Sequence, residues 1–353
     1  MFEKFLADNN ITEKKICVGV SGGSDSLALV LMAHQELFSL GYKVIALTVN
    51  HGLRETSQKE AEYVASIMQQ FGIEHHILYW QGSKPITGIE EAARNARYGL
   101  IEDWCREQGI KVLMTAHHLY DQVETFFMRL ERGSGLDGLC GMRDVFKRGN
   151  ILVVRPLLYI SPKVMKDYLL KKNIKWIEDE SNFCTELLRV RIRQFLPEFE
   201  QKTGIDVVKI AKAMRCLQSS QNYIEKEVEK VLKNIFRTYE QKAFWCNYAE
   251  FLRLDKEIKF RVLGKIFKAI SGADYIPQAD KIFSLIEKIQ TTSFKASTLG
   301  YCYICYFDNK LWISPEKVYN ESYSQKAWRD YISKNVKLKN KKLPSRIKRL
   351  MLK

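Results

Sequence analysis

Six consecutive residues, Ser21-Gly22-Gly23-Ser24-Asp25-Ser26, carry the clearest chemical signal in this 353-residue chain. Paired glycines let a backbone turn tightly and approach an anion with no Cβ in the way. Ser21, Ser24 and Ser26 add hydroxyl donors, and the Asp25 carboxylate is an oxygen ligand of the kind magnesium takes. A helix opening near Ser24 would aim its first N–H groups and its positive dipole end at the same spot. The segment therefore reads as a phosphate cradle. It is not a Walker A loop, because it has no lysine and lacks the GxxxxGK(S/T) spacing.

Other polar residues qualify or compete with that reading. Gly133-Ser134-Gly135-Leu136-Asp137-Gly138 matches GxGxxG, but it follows a helical pattern instead of a strand. It lacks the setting in which that fingerprint binds a dinucleotide, and it reads as a glycine-rich loop lining the same cleft. His51 and His117 fall at the ends of strand-like runs. Asp121, with Glu124 three residues on, is either a site carboxylate or an ordinary helix cap with its capping-box partner. Cys302 and Cys305 form a CxxC, but strand spacing puts their sulfurs on opposite faces, so they read as strand residues and not as a metal or redox pair.

The elements that must position these residues alternate along the first 160 positions. Short apolar runs at 14–20, 44–49, 76–80, 112–116 and 151–158 read as strands. Helical stretches at 27–40, 57–70, 89–108 and 121–131 separate them, most ending at a glycine. This pattern predicts an α/β fold, a doubly wound parallel sheet, with the Ser21–Ser26 loop at the carboxyl end of the first strand, where such sheets bind ligands. Beyond Ser161 the pattern turns mainly helical. Residues 206–240 read as a helical connector, 241–290 as helices and 296–313 as strands. The expected division is a domain over 1–205, the connector, and a basic C-terminal region over 241–353.

Charge follows the same division. Residues 1–160 hold 17 basic and 19 acidic side chains, whereas 161–353 hold 39 and 22; residues 334–353 contribute nine cations and no acid. A near-neutral half joined to one of net +17 separates chemistry from polyanion binding. Cations release counterions from RNA, and aromatics such as Trp176, Trp245, Trp312 and Trp328 can stack on unpaired bases. No apolar run is long enough to span a membrane. The start of the chain lacks a signal-peptide plan, and eight scattered cysteines suit reduced thiols. The expected location is the cytoplasm.

The SGGSDS loop resembles that of the N-type ATP pyrophosphatases, which cleave ATP between the α and β phosphates. Further segments narrow the resemblance: Asn50-His51-Gly52-Leu53-Arg54, the EEAARNARY run from Glu90 to Tyr98, and His117-His118-Leu119-Tyr120-Asp121-Gln122-Val123-Glu124-Thr125. Arg132–Gly135, Glu178-Asp179-Glu180-Ser181-Asn182 and Arg189-Val190-Arg191-Ile192-Arg193 follow in order. Over 14–200 the chain is similar to the tRNA(Ile)-lysidine synthase family, although Val190 stands where that family usually has Asn.

The resemblance implies a ligase that adenylates O2 of the wobble cytidine of a tRNA(Ile) with a CAU anticodon. The ε-amine of free L-lysine then attacks C2 and AMP leaves. ATP and Mg2+ are the implied cofactors; tRNA(Ile) and lysine are the partners. Ser21 to Ser26 would bind ATP. Asp25, Asp121 and Arg189 would be catalytic, with Asp25 serving the metal and Asp121 either sharing it or positioning the lysine amine. His51, Arg54, Arg94, Arg97, His117, Arg191 and Arg193 are candidate contacts to tRNA or substrate. A PP-loop tRNA thiolase and a noncatalytic tRNA-binding protein with a vestigial loop are the competing readings.

Overall fold

The computed structural model describes residues 1–316, apart from Ser83, Ile86, 179–187, 240–242 and 273–275. The chain divides into two compact units, Met1–Ser219 and Ser220–Lys353. Trp328, the cationic run 334–353 and the Asp179–Asn182 motif lie outside the described residues.

The first unit opens with α1 (Phe2–Asp8), β1 (Lys15–Gly19), α2 (Ser24–Leu37), β2 (Lys43–Asn50), α3 (Ser57–Gln70) and β3 (Glu74–Tyr79). There follow α4 (Ile89–Glu107), β4 (Val112–Met114), α5 (Leu119–Glu131), α6 (Leu136–Leu139), β5 (Val145–Arg148) and β6 (Ile151–Val154). The unit is completed by α7 (Pro162–Lys171), α8 (Leu188–Thr203) and the first part of α9 (Val207–Asn234). The six strands run in the order β3-β2-β1-β4-β6-β5, all parallel except the edge strand β5, which pairs antiparallel with β6.

Side-chain alternation along the strands explains why both faces of this sheet are covered. Ile16 and Val18 of β1, Val44 and Ala46 of β2 and Met114 of β4 join one cluster with Leu27 and Leu31 of α2 and Val64 of α3. Their neighbours Cys17, Ile45, Leu47 and Leu113 point the other way, onto Tyr98, Ile101 and Cys105 of α4. A smaller cluster joins Leu119 and Val123 of α5 to Leu196 of α8 and Val207 and Ala211 of α9.

Three expectations change. The fifth strand stops at Val154, not Leu158, because Pro156 has no N–H to extend a ladder. The edge strand β5, unmarked in the sequence reading, pairs Val145 with Val154 and Phe146 with Val153. The helix that opens at Ser24, as the phosphate-loop reading expects, is α-helical only to Leu37 and finishes as a 3-10 turn closed by Gly41 at φ +76°.

The second unit holds the rest of α9, then β7 (Arg237–Tyr239), β8 (Ala243–Asn247), α10 (Tyr248–Arg253), α11 (Lys256–Ser271) and α12 (Ala279–Ile289). It ends in β9 (Ala296–Leu299), β10 (Cys302–Phe307) and β11 (Lys310–Pro315), and its five strands form an antiparallel sheet ordered β7-β8-β11-β10-β9. The helices expected here are present, and they pack with a sheet that extends beyond the expected 296–313 strands. Residues 243–247, expected to be helical, pair with β11, setting Trp245 opposite Trp312 with ring centroids 5.8 Å apart. Cross-strand pairing of aromatic residues overrode the local pattern there.

Among the described residues, no helix is long and apolar enough to cross a membrane. Cys302 and Cys305 are both buried in β10, and burial pushes each thiol up to about 12. Cys302 packs in the apolar core of the second unit, whereas Cys305 sits opposite Trp312.

Candidate active site

The Ser21–Ser26 loop leaves the buried β1 and enters α2, whose N-cap is Gly23. Gly22 has φ +87°, and a Cβ there would lie 2.6 Å from Ile177 Cδ1. The Gly22 carbonyl accepts from Ile177 N–H at 3.0 Å, which fixes the turn. Ser26 Oγ accepts from Ser21 N–H at 3.1 Å and donates to the Gly23 carbonyl at 3.1 Å, closing the loop from inside. The first backbone bond of α2 runs from Leu27 N–H to Gly23, so the N–H groups of Ser24, Asp25 and Ser26 precede the helical ladder. They form the donor end that an anion requires.

This loop forms part of the wall of a cavity of about 550 Å3 at the carboxyl ends of β1, β2 and β4. The same cavity is lined by His51 and Arg54 after β2, Arg94 and Arg97 on α4, and His117 after β4; Asp121 and Arg189 complete the wall. Four of the seven sequence-derived contact and catalytic residues outside the loop that share this wall are arginines, and the cavity is shaped for a polyanion. The Gly133–Gly138 segment, expected to line the same cleft, contributes no lining residue; it forms the turn after α5 and the start of α6.

Because β1 and β4 are neighbours, Asp25 and Asp121 meet across His118. Its Nε2 lies 3.5 Å from Asp25 Oδ2 and its Nδ1 3.6 Å from Asp121 Oδ2. His118 is the N-cap of α5: its main-chain N–H donates to Asp121 Oδ2 at 3.0 Å, and Nδ1 accepts from Asp121 N–H at 3.4 Å. The capping box is thus His118–Asp121 and not Asp121–Glu124. Burial opposes a charge on His118, but the bond to Asp25 and the nearby Asp121 outweigh it and raise its pKa.

Glu124, released from capping, is fully buried and grips two arginines. Its Oε2 accepts from Arg189 Nε at 2.6 Å and its Oε1 from Arg193 Nε at 2.6 Å. Arg189 also donates to Asp121 Oδ1 at 2.8 Å, and Arg193 Nη2 lies 3.6 Å from the same oxygen. Burial favours a neutral Asp121, but His118 and Arg189 overcome it and hold the carboxyl below its ordinary value. Arg191, between the two arginines in sequence, is exposed on α8 and belongs to neither the network nor the cavity wall. Helical periodicity explains the split, since residues four apart share a face and residues two apart do not.

The residues present suit magnesium at Asp25. Its side chain is 33% exposed and lines the cavity, and one carboxylate with phosphate oxygens is the usual magnesium environment. Asp121 has Oδ1 on Arg189 and Oδ2 on the His118 N–H, so its carboxylate serves the arginine network. Sequence reading missed His118, Glu124 and Ile177 as parts of the site. The HxxD spacing was a readable signal for the first; nothing local marks the other two.

A nucleotide cradle at the switch point of a parallel sheet, faced by cations, defines a PP-loop ATP-binding protein, and residues 1–199 match the PP-loop domain family ATP_bind_3. The solved U34-tRNA thiolase NcsA from Methanococcus maripaludis, with its 4Fe-4S cluster, shares this fold at a TM-score of 0.51. That likeness covers 61% of this chain and 80% of that one at 17% identity, and it speaks to fold alone. The tRNA(Ile)-lysidine synthases of Wolbachia pipientis wMel and Rickettsia felis are 33% and 32% identical over 307 and 324 residues. Those matches cover 86% and 90% of this chain and 71% and 74% of theirs. The namesake from Orientia tsutsugamushi is 34% identical over 276 residues, and this chain spans only 61% of its length. The chain belongs to the tRNA(Ile)-lysidine synthase family.

Proposed function

We propose that this protein ligates L-lysine to C2 of the wobble cytidine of a tRNA(Ile) with a CAU anticodon, at the cost of one ATP. One observation carries the reading: the Ser21–Ser26 loop and the α2 N-terminus face a cation-lined cavity that also holds Asp25 and the Arg189 network. The triphosphate lies on the loop amides and serine hydroxyls, which stabilise charge developing on the β phosphate as pyrophosphate leaves. Cytidine O2 attacks the α phosphate, with Arg94 and Arg97 offsetting its charge. Asp25 would hold magnesium, which supplies further neutralisation of the leaving group. Asp121 and Glu124 orient Arg189 and Arg193 beside the reacting base.

In the second step the deprotonated ε-amine of lysine attacks C2 and AMP departs with the oxygen. His51 and Arg54 line the side of the cavity after β2 and supply contacts to the incoming nucleotide of tRNA. Arg191, exposed on α8, suits a backbone phosphate contact. The basic second unit and residues 334–353 supply sequence-independent affinity for tRNA. A cytoplasmic location follows from the substrate. The thiolase reading has less support: Cys302 and Cys305 are buried, with pKa values pushed well above neutrality, and no group of three metal-ligating side chains occurs among the described residues.

The test is mass spectrometry of nucleosides from tRNA(Ile) incubated with the protein, ATP and isotope-labelled lysine. The expected product is a cytidine derivative carrying the lysine label, formed together with AMP and pyrophosphate. Sulfur incorporation, or tRNA binding without ATP cleavage, would replace this reading with one of its competitors.

A further inference from the structure

A side chain behind the cavity wall controls one that lines it. His117 faces the cavity directly after β4, and its Nδ1 lies 3.0 Å from Thr115 Oγ1 and 3.3 Å from Arg155 Nε. A guanidinium nitrogen donates and never accepts, so Nδ1 is the acceptor and the ring hydrogen resides on Nε2. Nε2, the ring nitrogen not engaged by Arg155, thus carries the hydrogen on a side chain that lines the cavity.

Arg155 is well placed for this task. It follows β6 immediately, is only 6% exposed and is not among the cavity-lining residues. Its Nη1 donates to the Arg143 carbonyl at 2.8 Å, its guanidinium lies 4.4 Å from the Phe146 ring centroid, and its own N–H donates to the Asp144 carbonyl at 2.8 Å. The antiparallel hairpin β5–β6 therefore clamps the arginine from several directions, and the arginine clamps the imidazole.

Three of the four charges around the ring act in the same direction. Arg155 from the strand end, Arg94 from α4 and Arg189 from α8 oppose a charge on His117, and Asp121 from α5 alone favours one. Burial first, and then the three arginines, outweigh Asp121 and bring its pKa down to about 3.

We infer that Arg155 is a positioning residue that locks His117 as the neutral Nε2–H tautomer, a fixed hydrogen-bond donor to a phosphoryl oxygen of the adenylated base. His117 is then not the base that takes a proton from the attacking amine. The role in catalysis rests on the adenylation reading above; the locked tautomer does not.

Long-range 1H–15N correlation spectra of the full-length protein, labelled at histidine, test the two parts separately. In the parent protein the His117 nitrogens keep the Nε2–H pattern from pH 5 to 8. In Arg155→Met the ring becomes a tautomer mixture, with circular dichroism confirming a folded chain. Arg155→Lys keeps the charge but loses the planar Nε–H, and its spectrum follows the Met variant. In steady-state assays His117→Gln, which retains a donor near the Nε2 position, keeps kcat within about tenfold. His117→Ala loses about 100-fold or more in kcat, with KM for tRNA little changed.

A parent ring that titrates between pH 5 and 8, or carries its hydrogen on Nδ1, overturns the lock. An unchanged spectrum in Arg155→Met assigns the lock to something other than Arg155. Equal kcat for the Gln and Ala variants removes the donor role. A locked ring in a protein that makes no lysidine would refute the ligase reading while leaving the tautomer assignment intact.

Discussion

Gly22→Ala concentrates the argument about the phosphate loop into one methyl group. At φ +87° an L-residue is strained, and left-handed backbone costs roughly 1–2 kcal/mol for alanine. The added Cβ would also lie 2.6 Å from Ile177 Cδ1 and 3.3 Å from Val64 Cγ2. Overpacking of this kind costs typically about 1–3 kcal/mol, and the low end applies because Cδ1 is the far end of a flexible side chain. The expected loss is about 2–3 kcal/mol, or a fall in Tm of roughly 4–12 °C in a unit of this size. Ile177→Val removes the clashing Cδ1 and leaves the backbone strain. A double-mutant cycle should therefore return about 1 kcal/mol of coupling, and no more than half the loss. The assays are thermal melting with and without ATP, and calorimetric ATP affinity, which should drop at least tenfold in Gly22→Ala because the Gly22–Ile177 bond sets the loop. A Gly22→Ala protein that melts and binds ATP like the parent refutes the cradle; complete rescue by Ile177→Val refutes the backbone part.

Four further outcomes follow from the same geometry. Asp25→Ala should abolish tRNA-dependent pyrophosphate release while filter-binding affinity for tRNA survives; turnover at the parent rate would remove Asp25 from the site. Glu124→Gln takes a fully buried charge from two arginines whose side chains are 42% and 39% exposed. Breaking a buried pair costs about 3–5 kcal/mol, and solvent around the guanidiniums reduces this to about 1–3 kcal/mol. Denaturant melts would show that loss beside a fall in kcat of at least tenfold, and a neutral result would mean that the network is decorative. His117 has a folded pKa of about 3 against an ordinary 6.5, so as pH falls below 6.5 the unfolded ring takes a proton before the native one can. Its contribution to stability declines from pH 6.5 toward 3, with a slope of at most about 1.4 kcal/mol per pH unit. Melts of His117→Gln across that window should be flatter than the parent's, and parallel curves would contradict the assignment. Truncation before Lys334 should weaken tRNA binding and flatten the dependence of its affinity on salt; an unchanged slope would deny the tail any phosphate contacts.

Much of this protein is local in its chemistry, and that part is legible in the sequence. A glycine pair between an apolar run and a helix can be read as an anion cradle without coordinates, because tight turns, free amides and helix dipoles arise within a few residues of one another. Alternating short strands and helices likewise fix a parallel sheet, with the Ser21–Ser26 loop at the carboxyl end of its first strand. What tertiary structure decided is every pairing across distance. Whether Asp121 caps its helix or serves the site depends on His118 taking the cap and on Arg189, 68 residues away, taking a carboxylate oxygen. The value of Glu124 arises only when α8 lays two arginines on it, and the separation of Arg191 from its neighbours only when their helix chooses a face. Residues 243–247 pair as a strand with β11, a partner more than 60 residues away in sequence. Contacts of this kind depend on which surfaces meet once the core has formed, and no window of neighbouring residues contains that information.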